Sequence, residues 1–129
     1  MVETNLTKEM MESGAILIGK LDERGIQPDA AFWFYFPDIQ AWKLIIAEVK
    51  VGENGPKEGY RQILKILGKF YKEMKGLSLD DVTLAKTDAS IVVLLRVAIR
   101  TGPGISGIRF TNNVINGTTI EDAYIYRLK

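Results

Sequence analysis

Cysteine and histidine are both absent from the 129 residues. Without cysteine there can be no disulfide, thiolate nucleophile or Cys-ligated metal, which suits a reducing compartment, and a cytoplasmic protein is the expectation. Without histidine every Ser-His or Cys-His catalytic pair and every His-bound zinc falls away. Only Asp, Glu, Lys, Tyr and backbone groups remain for proton transfer or metal binding. No apolar run approaches the roughly 18 residues of a membrane-spanning helix. The N-terminal stretch MVETNLTKEMMESGAILIGK carries acids and no basic segment ahead of a long apolar run, so no signal peptide is expected. An excess of one charge is missing too. Lys and Arg number 17 against 16 Asp and Glu, a net charge of +1, so any electrostatic function must be local.

The residues that are present build a globular core. Apolar residues make up 47% and charged residues 26%, which argues against disorder or a fibrous repeat. No linker, repeat or low-complexity tract interrupts the chain, and residues 1–129 are expected to form one domain. Residues 5–24 read as an amphipathic helix capped by Asn5 or Thr7, with Leu6, Met10, Leu17, Ile18 and Leu21 inward, Gly14 and Gly19 weakening it and Gly25 just past its end. AAFWFYF (30–36) and WKLIIAEVK (42–50), either side of Pro37-Asp38-Ile39-Gln40, read as an antiparallel hairpin.

From Lys57 to Lys75 the apolar positions Tyr60, Ile63, Leu64, Leu67, Tyr71 and Met74 recur at helical spacing, and Gly76 ends the run. Val82–Lys86 is a short strand. Thr87 or Asp88 then caps ASIVVLLRVAIR, read as a helix with Gly102 as its terminal cap. Asn116-Gly117 is a two-residue hairpin turn between IRFTNNVI and TTIEDAYIY. The order α, β-hairpin, α, β, α, β-hairpin predicts an α+β fold with a mixed sheet of four to five strands and helices packed on it.

Two constellations carry candidate chemistry. With a four-residue turn at 37–40, Phe36 faces Ala41, and counting back along the ladder sets Asp29 opposite Glu48 with Cβ atoms about 5 Å apart. Lys50 shares a strand face with Glu48. Asp38 belongs to the wrong end of the hairpin. Pro28-Asp29 followed by Glu48-Val49-Lys50 and a helix resembles the motif of the PD-(D/E)xK nuclease superfamily. That resemblance implies a Mg²⁺ ion held by Asp29 and Glu48, with Lys50 positioning water; no other cofactor is expected. Such a triplet arises about once by chance in a chain of this composition, and Glu73-Met74-Lys75 is a second one, so the solvated end of a strand pair is the simpler reading.

The second constellation lies on the last hairpin. The turn at Asn116-Gly117 places Val114, Phe110, Ile108, Ala123 and Ile125 on the core face. Arg109 then opposes Tyr124, with Tyr126, Thr111, Asp122 and Asn113 around them. Arg109, Tyr124 and Tyr126 form the preferred contact surface for a protein partner or a second copy, since the side chains can stack on rings. Lys57, Arg61, Lys65 and Lys69 make a basic stripe able to meet nucleic-acid phosphates, although a solvated helix face looks the same. Gly102-Pro103-Gly104-Ile105-Ser106-Gly107 spells a dinucleotide fingerprint but follows a helix and precedes a strand, the reverse of what that site needs.

The segments AAFWFYFPDIQAWKLIIAEV, GPGISGIRF and EDAYIYRL resemble a family of short uncharacterised bacterial proteins, over most of the chain from about residue 25. The resemblance implies a soluble stand-alone protein and assigns no activity or site residue. With no complete catalytic set on the chain, a binding or interaction domain is the leading expectation and the Mg²⁺-dependent nuclease the alternative.

Overall fold

The computed structural model describes residues 5–47 and 55–129. Helix α1 spans Lys8–Glu23, opened by the Thr7 hydroxyl, which accepts from the Met10 amide at 3.1 Å. It closes on Gly25 at φ 77, where a side chain would be strained. Leu17, Ile18 and Leu21 are fully buried, as their spacing predicts. Strands β1 (Ala30–Phe36) and β2 (Ala41–Ala47) pair antiparallel without a slip from Phe36↔Ala41 to Ala30↔Ala47. The four-residue turn and its register therefore agree with the sequence count.

Helix α2 (Gly55–Lys69) leads through a short 3-10 turn at Leu79–Asp81 to β3 (Val82–Ala85), which lies parallel to β2. Helix α3 (Ser90–Ala98) follows, then the hairpin of β4 (Ile108–Ile115) and β5 (Thr118–Leu128). The sheet order is β3-β2-β1-β5-β4, so β5 returns to pair with β1 at the centre. The fold is α+β, a five-stranded mixed sheet with helices packed on it. Among the described residues no helix is long and apolar enough to cross a membrane.

Strand alternation divides the core in two. Ala31, Trp33, Trp42, Leu44, Ile46 and Tyr126 face α1 and α2, whereas Ala30, Phe32, Phe34, Ile45, Ala123, Ile125 and Leu128 face α3. Covering both faces explains why AAFWFYF and LIIA are continuous apolar runs rather than alternating ones.

Several boundaries differ from the sequence expectation. Helix α2 stops at Lys69, not Lys75, because Phe70–Leu77 turns tightly through i to i+3 bonds that carry Met74 and Leu77 into the core. Gly76 meets α1 backbone so closely that an added Cβ would lie 2.6 Å from Glu9 carbonyl carbon, and its amide donates to Ser13 Oγ at 3.0 Å. The buried contacts of α2 are Ile63 and Ile66, while Leu64 and Tyr71 are exposed. Helix α3 begins after Ala89 with no side-chain cap, so neither Thr87 nor Asp88 serves. It ends where Ile99 turns extended, which removes Gly102 as its cap.

Candidate functional site

Arg109 and Tyr124 are cross-strand partners between β4 and β5, as the Asn116-Gly117 turn requires. Arg109 Nε and Nη2 donate to the two carboxylate oxygens of Asp122 at 2.6 and 2.5 Å, and Thr111 Oγ1 donates to the same carboxylate at 3.2 Å. Bidentate geometry locks the plane of the guanidinium. Its Cζ lies over the Trp42 ring, 5.7 Å from the ring centre, and Trp42 in turn packs against Tyr35 at 5.5 Å. Hydrogen bonding to Asp122 pushes the already high Arg109 pKa further up. Its side chain remains 45% exposed, with Nη1 making no bond among the described residues. A cation fixed on one edge, stacked on a ring and open on the other edge can take a carboxylate or a carbonyl from a partner.

Tyr126 lies at the buried edge of this surface, not on its exposed part. The β1–β5 register shifts between Ala31↔Arg127 and Phe32↔Ile125, leaving Tyr126 as the extra residue of a β-bulge. Tyr126 keeps the face of Tyr124, the two rings 5.3 Å apart, but lies under α1 at 1% exposure, so the exposed part of the expected contact surface is Arg109 and Tyr124, with Trp42 and Tyr35 beneath. Trp33 Nε1 donates to the Tyr126 hydroxyl at 3.0 Å, and that hydroxyl donates to the Met11 carbonyl at 2.5 Å. Burial raises the Tyr126 pKa well above 10, against the partly opposing bond from Trp33. Gly14 is needed beside this pair, because a Cβ there would collide with the Tyr126 hydroxyl and come within 2.8 Å of Trp33 Nε1.

A second correction concerns Val114, expected in the core but 66% exposed. Asn112 sits at φ 51 between the pairs Thr111↔Asp122 and Asn113↔Ile120. A left-handed residue inside a strand reverses the sides taken by the next side chains, so Ile115 and Ile120 reach the α3 core instead.

The bulge also buries Arg127, which sequence reasoning missed. Arg127 is 3% exposed, forks onto both Asp22 oxygens at 3.0 and 2.7 Å, and donates to the Pro28 carbonyl at 3.0 Å. Its partner lies 105 residues away, and no local pattern joins the two. Beside them Asp22, Gln27, Pro103, Arg127 and Lys129 line a cavity of about 90 Å³.

Asp29 stands next to the end of β1, its amide bonded to the Ala47 carbonyl at 3.1 Å and its Oδ1 3.6 Å from Lys129 Nζ. Glu48 and Lys50 lie outside the described residues. Asp38 occupies the turn at the far end of the hairpin, consistent with its dismissal. Among the described residues no three Asp or Glu side chains gather as a metal would require. Lys57, Arg61, Lys65 and Lys69 are all exposed along α2, with Arg61 Nη1 donating to Glu58 Oε2 at 2.9 Å.

The class these elements define is an α+β fold with a two-sided sheet and an arginine-on-tryptophan surface at one end of its hairpins. No protein-family model, curated protein or solved structure matches the chain.

Proposed function

We propose that the chain is a protein-binding module whose contact surface is centred on Arg109 and Tyr124. The observation that carries this reading is the state of Arg109, held by Asp122 with its Cζ over the Trp42 ring while its side chain stays 45% exposed and Nη1 is open among the described residues. Ordering a long side chain is a main cost of forming an interface, and here the fold has already met it. Aromatic and arginine side chains also dominate binding energy at interfaces. The ligand chemistry that fits is a peptide segment offering a carboxylate or paired carbonyls. The test is selection of displayed random peptides on the wild-type chain with counter-selection on Arg109→Ala. Recovery of acidic peptides that lose at least tenfold affinity for Arg109→Ala supports the reading, and equal retention on both proteins rejects it.

A Mg²⁺-dependent PD-(D/E)xK-like nuclease is the second reading. Its support is the β1–β2 register, which runs to Ala30↔Ala47 as the counting of Asp29 against Glu48 assumed, and the helix and parallel strand that follow. In this reading Asp29 and Glu48 hold the ion and Lys50 acts beside it; Asp29 must first exchange its contact with Lys129. Nicking of plasmid DNA in Mg²⁺ or Mn²⁺ that disappears in Glu48→Ala supports it. Equal nicking by the variant removes it.

A further inference from the structure

Between Asp88 and Glu121 the sequence contains no acidic residue, although acids and bases balance over the whole chain. Three arginines fall in that interval. Arg109 forms an ion pair with Asp122, but neither Arg96 nor Arg100 forms one among the described residues. Both line a shallow groove of about 350 Å³ on the outer side of α3, together with Val93 and Val97. These valines sit one helical turn apart and are 48% and 60% exposed, in a helix whose inner residues Val92 and Leu95 are fully buried. Arg96 Nη1 donates to the Thr87 carbonyl at 3.0 Å, yet its Nε is buried with no acceptor. Buried donors of this kind are normally satisfied, and an added carboxylate would draw this guanidinium into a paired arrangement.

We propose that this groove docks an acidic amphipathic helix of a partner protein, its apolar stripe on Val93 and Val97 and its carboxylates on Arg96 and Arg100. Charge decides among the occupants. A second copy packed through the same face would bring arginine pairs against each other. A nucleic acid would satisfy the arginines and leave the valines idle, and two valines offer a lipid surface little to bury. An amphipathic acidic helix uses both halves of the groove, in the manner of helix-in-groove recognition.

The test is an amide NMR titration of the full chain with a synthetic helix bearing leucines at i, i+4 flanked by glutamates. The expected result is saturable shifts clustered on residues 90–100, with affinity falling at least tenfold in Arg96→Glu or Arg100→Glu and at least threefold in Val93→Ser/Val97→Ser. All four positions are at least partly exposed, and an unchanged fold in each variant is checked from its own spectrum. Absent or scattered shifts overturn the proposal. So does equal binding of polyglutamate, or tighter binding of a DNA oligonucleotide or anionic vesicles than of the helix.

Discussion

Trp33 on the central strand and Tyr126 in the β5 bulge, 93 residues apart, are joined by a buried hydrogen bond of 3.0 Å that the tyrosine passes on to the Met11 carbonyl of α1. One hydroxyl thus ties strand, bulge and helix together. Tyr126→Phe keeps the ring but leaves the buried Trp33 indole N–H unpaired, and should cost about 1–3 kcal/mol in urea denaturation. The m-value should not change.

Two glycines of α1 should respond oppositely to alanine. Gly14→Ala drives a methyl group into Tyr126 and Trp33, and destabilisation of about 1–3 kcal/mol is expected despite better helix propensity. At Gly19 the nearest atom to an added Cβ is Ile105 Cδ1 at 3.9 Å, so Gly19→Ala should gain up to about 1 kcal/mol. Thermal melts of the pair check both signs.

Alkaline pH should unfold the chain through Tyr126. Its folded pKa is raised above the ordinary 10.0, so the native state holds a proton that the unfolded state has released. The contribution is intact below pH 10 and is lost as pH rises beyond it. Tyr126→Phe should flatten that slope, measured as urea midpoints from pH 8 to pH 11.

The Arg127–Asp22 pair is closed to solvent on the arginine side. Asp22→Ala strands a buried cation, and a loss of about 3 kcal/mol is expected, little changed by added salt. Asp22→Leu combined with Arg127→Met should recover part of it. A double-mutant cycle by chemical denaturation gives the coupling.

Much of the fold was legible because its signals are local. Thr7 and Gly25 bracket α1, Pro37–Gln40 sets the first hairpin's register, and Asn116-Gly117 sets the pairing of Arg109 with Tyr124. The missed features come from places where the chain departs from simple periodicity. Counting by twos through β4 and β5 put Val114 inside, which the left-handed Asn112 reverses, and it missed that the bulge turns Arg127 toward Asp22 of α1; Tyr126 keeps the face of Tyr124, and its burial comes from α1 lying over it. The end of α2 was equally hidden, since Met74 keeps the helical spacing while Gly76 must reach the α1 backbone. At the candidate site the Arg109–Asp122 contact lay within reach of cross-strand reasoning, whereas the contact of Arg109 with Trp42 runs from β4 to β2 across the two strands between them, which no strand pairing read from the sequence shows.

The pairing of β1 with β5 has a consequence for synthesis. As the ribosome extrudes the chain, AAFWFYF can zip onto β2 at once, but its other edge stays open until the codons for residues 123–128 have been read. A stalled product lacking those codons would therefore display a naked aromatic strand edge, a natural target for chaperones and proteolytic clearance.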